Sequence, residues 1–120
     1  MSIFIAADQR QIEAAARIGA QVIELHTGAY CDAHSEGDFA ARDAELAKLV
    51  DMAEFASSVG LEVHAGHGLT YDTVEPVAAM PQVVELNIGH FLIGEAIFQG
   101  LPDAIGEMRR LMDAARAELR

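Results

Sequence analysis

The sequence predicts an α/β fold of parallel βα units, the second half of a TIM-type eight-stranded βα barrel, and three observations carry the prediction. Short β-prone runs alternate with segments of helical periodicity four times along the chain. The pattern Glu-(Leu/Val)-x-x-Gly occurs three times, beginning at Glu24, Glu62 and Glu85, and the last two copies run directly into His67 and His90. An extra short apolar segment follows the fourth run. Barrels of this kind commonly bind phosphate at the loops after strands seven and eight, with an extra helix N-terminus aimed at the anion. An open four-stranded doubly wound sheet is the alternative that the same alternation allows.

Residues 2–5 form the first β-prone run, and Asp8 follows where a helix N-cap is needed. Gln11 can reach back in a variant of the capping box, and Ile12, Ala15, Ala16 and Gly19 share one face of the helix that results. The second strand is residues 21–26, where Val22, Ile23 and Leu25 are β-formers between Gly19-Ala20 and Thr27-Gly28. Polar residues 27–37 read as a long loop. Over residues 38–59 the positions Leu46, Val50, Ala53 and Ala56 keep helical spacing, and Gly60 stands where a C-cap glycine belongs.

Residues 61–65 are the third strand, and Thr73-Val-Glu-Pro76 opens a short helix that Pro81 ends. Residues 83–88 are the fourth strand. A short helix is expected over residues 91–98, and Pro102 begins a last amphipathic helix with a core face of Ile105, Met108, Met112, Ala115 and Leu119. All 120 residues make one domain. Right-handed crossovers between parallel strands bring every strand C-terminus, and every Gly-His pair, to one edge.

With 52% hydrophobic residues the chain can bury a core, and its net charge of −11 disfavours a nucleic-acid partner. No uncharged apolar run approaches the roughly 18 to 20 residues that cross a bilayer, so no membrane partner is expected. A single cysteine, Cys31, and a start without basic residues make a cytoplasmic location the default. No Lys or Arg lies between Lys48 and Arg109. An anion bound by that stretch would therefore be held by backbone N–H groups, imidazoles and helix N-termini.

Gly66, Gly68 and Gly89 would permit positive φ and close approach of backbone to a ligand. His67, between two glycines at a strand end, can donate or accept a proton near neutrality, or can be a loop histidine bonded to a carbonyl. Glu24 is costly to bury and faces either a polar cavity or a helix-borne partner such as Arg17. Glu24, His26, His64, His67 and His90 are of ligand type for zinc, and Glu24 and His26 share a strand face. With no i, i+4 His pair and no Cys cluster, no metal is expected.

Residues 23–30 (Ile-Glu-Leu-His-Thr-Gly-Ala-Tyr), 63–71 (Val-His-Ala-Gly-His-Gly-Leu-Thr-Tyr) and 85–90 (Glu-Leu-Asn-Ile-Gly-His) together resemble the C-terminal half of the pyridoxine 5′-phosphate synthase family. The resemblance covers essentially the whole chain. It implies a βα barrel that condenses 3-amino-2-oxopropyl phosphate with 1-deoxy-D-xylulose 5-phosphate in vitamin B6 synthesis, with no metal or organic cofactor. By matching motif, His67 would be the proton donor, Glu24 the transition-state stabiliser, and Gly68, Gly89 and His90 the groups on the aminoketone phosphate. His64, where the family more often has Asn, and Ala6, where it more often has Asp, depart from the pattern.

The resemblance also implies that the family's N-terminal half, with a second catalytic His and Glu, is not among these residues, so the isolated chain is expected to be inactive. Four strands of a barrel leave two open edges and an expected apolar inner face. Association follows as an expectation, with the missing half or with a second copy, and the family's homo-oligomers point the same way. Another phosphate-binding barrel enzyme, or a non-catalytic phosphate-binding half-barrel, is the competing reading. An aldolase would need a Schiff-base lysine, which the site region lacks.

Overall fold

The computed structural model describes residues 1–119. Its elements run β1 (Ser2–Ile5), α1 (Gln9–Arg17), β2 (Val22–His26), α2 (Gly28–Ser35), α3 (Phe39–Ser58), β3 (Glu62–Gly66), α4 (Val74–Ala78), β4 (Val83–Asn87), α5 (His90–Gln99) and α6 (Leu101–Ala117). The four strands are parallel and lie in the order in which the chain makes them. Unreversed order with same-handed crossovers places all helices on one face, the arrangement of half a βα barrel, whereas a doubly wound sheet reverses its order and is covered on both faces.

One face of the sheet is therefore dry and the other open. Ile23, Leu25, Val63, Ala65 and Val83 are buried with Ile12 and Ala15 of α1, Leu49, Ala53 and Ala56 of α3, and Val77 of α4. Phe4, Glu24, His64 and Glu85 stand in one cross-strand row on the opposite face. That face is not the apolar surface expected from the sequence. His64 Nε2 lies 2.7 Å from Glu62 and its Nδ1 3.6 Å from Glu85, so a carboxylate stands at each ring nitrogen.

The register separates the three copies of the Glu-(Leu/Val)-x-x-Gly pattern. Glu24 and Glu85 are both level with His64, whereas Glu62 is level with Val22, one pleat lower. A bulge makes this possible: Val63 pairs Val83 but His64 pairs Glu85, so Val84 is the extra residue and is turned out to solvent. Gly66 is thereby level with His26 and Asn87, and the β3 tip extends two residues further before Gly68 comes beside Gly28.

Local signals held for the long elements. The Asp8 carboxylate accepts from Gln11 N–H, and Gln11 Oε1 reaches back to Ala6 N–H at 3.1 Å. Asp38 caps α3 by accepting from Ala41 N–H. Residues 28–35, expected to be loop, are helix α2, with Tyr30, Cys31 and Ala33 buried. These residues carry no helical stripe, because the helix is fixed by packing on α3 and by the contacts of Tyr30 and Cys31 under the β3–α4 loop and not by an amphipathic face. In α6 the buried residues are Ala104, Met108 and Ala115, while Ile105 is about half exposed (48%); Leu119, expected on the same core face, lies beyond the end of the helix and is also half exposed (49%). That helix packs on α4 and α5, and so presents a narrower face than one laid across a sheet.

Tyr30 reports on the buried helix. Its hydroxyl donates to the Thr73 carbonyl at 3.0 Å, and burial, with the nearby Cys31 thiol, pushes its pKa from 10.0 up to about 12. The folded chain then holds the phenolic proton more tightly than the unfolded chain, so this contribution to stability is whole below pH 10 and is lost as pH rises toward 12. Denaturant titrations across that range should give a steeper alkaline fall for the parent chain than for Tyr30→Phe.

Candidate functional site

A cleft of about 740 Å³ opens at the C-terminal rim of the sheet, lined by Phe4, Glu24, residues 67–70 and residues 87–91. All five residues singled out from the sequence, Glu24, His67, Gly68, Gly89 and His90, line it. Its size lies within the usual range of small-molecule sites, about 300 to 1,000 Å³. No Lys or Arg is in the wall.

The β3 tip is held in an unusual conformation. His67 is the one non-glycine residue with positive φ among those described, at 84°, and Gly68 follows at 84°. For a residue with a side chain this costs on the order of 1–3 kcal/mol and persists only where neighbours enforce it. Thr27, fully buried, does so: its N–H and its hydroxyl reach Gly66 O at 2.9 and 2.8 Å, and the hydroxyl shares its proton with His67 O at 2.7 Å. Of the glycines expected to use left-handed freedom, only Gly68 does. Gly66 is needed for space, since a Cβ there would stand 2.5 Å from Glu24 Oε1 and 2.7 Å from Asn87 O.

The imidazole of His67 stacks on that of His26, with ring centroids 4.4 Å apart, and His26 in turn lies 4.9 Å from the Phe4 ring. Gly28 N–H donates to His26 Nδ1 at 3.0 Å, so a neutral His26 carries its proton on Nε2. Glu24 is half-buried in the cleft wall and makes no ion pair with Arg17 among the described residues. Beneath the tip, burial pushes the Cys31 thiol up, and Cys31 Cβ leaves only 3.2 Å to a side chain at Gly68.

Gly89 caps α5 and His90 is its first residue, so the positive end of a ten-residue helix lies in the wall of the cleft. Backbone amides and imidazoles in the same wall as the Glu24 carboxylate suit an anionic ligand that also carries a polar or cationic group. Among the described residues no group of three or more His, Cys, Asp or Glu is disposed to hold a metal ion. No described helix is long and apolar enough to cross a membrane.

Sequence reasoning passed over Phe4, Thr27, Thr70, Asn87 and Phe91. Asn87 carried a signal, since it follows Glu85 by one strand period and so shares its face. Thr27 carried none, because its importance is its place beside a strand tip forty residues away.

A profile described as pyridoxal phosphate biosynthesis protein PdxJ matches residues 1–114. Proteins named pyridoxine 5′-phosphate synthase are similar over nearly all of the chain. The one from Roseobacter denitrificans is 81% identical over 117 residues, that from Ruegeria pomeroyi 80% over 117, and that from Caulobacter vibrioides 62% over 119. Each match takes in 98–99% of this chain and 47% of the relative. The chain spans about half the length of the curated relatives it matches.

The tight seat at Gly66 gives a direct test of the site's packing. Gly66→Ala should force β3 from β4 and displace the Glu24 carboxylate, lowering stability by about 1–3 kcal/mol, as overpacking does. A urea midpoint unchanged from the parent chain would contradict it.

Proposed function

The chain belongs to the PdxJ family of pyridoxal phosphate biosynthesis proteins, and on that premise we propose that its residues form the aminoketone-phosphate side of a pyridoxine 5′-phosphate synthase site. In this reading the enzyme joins 3-amino-2-oxopropyl phosphate to 1-deoxy-D-xylulose 5-phosphate. Gly68, Gly89 and His90 hold the aminoketone phosphate, His67 donates a proton, and Glu24 stabilises the transition state. The observation that carries the proposal is the convergence of these five residues on one cleft without a cationic side chain.

The chemistry follows from what each group can do. Amides at the head of α5 and at Gly68 can accept phosphate charge without reorganising. His67, exposed at a turn, can present a ring N–H to a departing oxygen, and a well-placed proton donor contributes about 10²–10⁴-fold. Glu24, in the same cleft wall, can balance the positive charge that develops on a protonated amine or imine. Its half-buried position strengthens that interaction relative to water.

Joining two phosphorylated molecules and closing a ring requires both to be oriented, which is worth roughly 7–11 kcal/mol in favourable cases. Four strands supply one phosphate rim and one proton donor. We therefore extend the proposal to the 120 residues taken alone: they bind one substrate and do not turn over. A homo-oligomeric assembly, a cytoplasmic setting and completion of the sheet by further strands belong to the same proposal.

Two measurements test it. Calorimetric titration of the purified chain should show tighter binding of the aminoketone phosphate than of inorganic phosphate, and His90→Ala should weaken it about tenfold, the scale of a lost charge-assisted hydrogen bond. Product formation should be absent with the chain alone and present when the rest of a curated relative is added. Ordinary turnover without that addition would overturn the second part.

A further inference from the structure

We propose that Tyr71 is the positioning residue of this cleft, fixing the head of α5 against the loop that carries His67. The inference rests on the phosphate reading given above and extends it to a residue that touches no substrate. Tyr71 itself is not in the cleft wall; its neighbours Thr70 and Phe91 are.

Helix α5 lacks the usual anchor of a barrel helix. None of its residues is buried, and Ile93, Ile97 and Phe98 are 62%, 78% and 87% exposed. Its main packing partner is α6, which packs in turn on α4. The dry core reaches the head of α5 only through β4 and Ile88, just before Gly89, and holds no residue of the helix itself. A helix held on one side only would be free to tilt about the Gly89 cap, and the amides at its head would move with it.

Tyr71 closes that gap with three contacts from one side chain. Its hydroxyl donates to Ala104 O of α6 at 3.1 Å and accepts from Gln99 Nε2, at the last turn of α5, at 2.9 Å. Its ring meets the Phe91 ring edge-on, with centroids 4.7 Å apart, in the first turn of α5. Both ends of α5 are thus tied to a residue four positions beyond His67. Tyr71 follows Thr70, whose N–H donates to Thr73 Oγ1 at 2.9 Å, so the loop that makes the tie is braced within itself.

Removing the hydroxyl should let α5 tilt about its Gly89 cap while keeping the Phe91 seat, and removing the ring should loosen that seat as well. Tyr71→Phe and Tyr71→Leu provide that series, and Gln99→Ala checks the hydroxyl contact from the other side. Two readouts are taken on the purified chain: amide hydrogen exchange at residues 93–96, whose first hydrogen bond is Ile93 N–H to Gly89 O, and affinity for inorganic phosphate. For Tyr71→Phe exchange should rise about threefold to tenfold and phosphate should bind weaker by a similar factor, with a larger change for Tyr71→Leu and amide shifts of β2 and β3 unmoved.

A purely structural tyrosine would lower the melting temperature without selectively freeing residues 93–96. Unchanged exchange in both Tyr71 variants overturns the inference, and so does unchanged phosphate affinity when exchange has risen. Should the parent chain fail to bind the aminoketone phosphate and inorganic phosphate alike, the phosphate reading falls, and the exchange data alone then support or overturn the tie between Tyr71 and α5.

Discussion

The buried hydroxyl of Thr27 is the point on which the site's geometry turns. From the residue after β2, the hydroxyl and the N–H of Thr27 both reach the Gly66 carbonyl that ends β3, and the hydroxyl also reaches the His67 carbonyl just beyond it. Those bonds continue the β2–β3 ladder past the end of the strands, at the residue held in left-handed backbone. Cost and restraint sit together. The His67 ring is delivered over the cleft because the main chain beneath it has no other place to satisfy its carbonyls.

The one-sided coverage of the sheet explains why the rim can be polar at all. Helices bury the Ile, Leu, Val and Ala face and leave the opposite face to carboxylates, imidazoles and Asn87. Glu24 stays accessible in the wall because Gly66 beside it has no side chain, and the bulge at Val84 brings Glu85 and Asn87 back into step with it. A phosphate-binding role for such a surface has to come from dipoles. With a net charge of −11 and no cationic residue in the wall, the head of α5 and the β3 tip are the places where an anion meets positive potential.

The membership of the PdxJ family and the geometry bear on different levels of the proposal. Similarity of 62–81% over nearly the whole chain gives the family, while 47% coverage of each relative leaves the complete reaction as a proposal about more than these strands. The cleft supplies what similarity does not: the helix end that Gly89 caps and a stacking partner for His67. His26 is that partner, since its ring backs His67 and its Nδ1 is already occupied by the Gly28 amide.

The sequence by itself determined the strands, the long helices, the singular lack of cations around the Gly-His pairs, and five of the eleven residues that line the cleft, because each of these is written in local spacing and residue type. Periodicity and capping act over a few residues, so they survive without knowledge of the fold. Only the tertiary structure decided that residues 28–35 are helix, that Glu62 is not the equivalent of Glu24, that the open sheet face is acidic, and that α6 turns Ile105 outward and ends before Leu119. Each of those depends on what lies across from the residue in another strand or helix: register is set by a bulge and by the volume at Gly66, and a short polar helix is stabilised by the loop it packs beneath. Such information is a property of pairs distant in the chain, and no window along the sequence contains it.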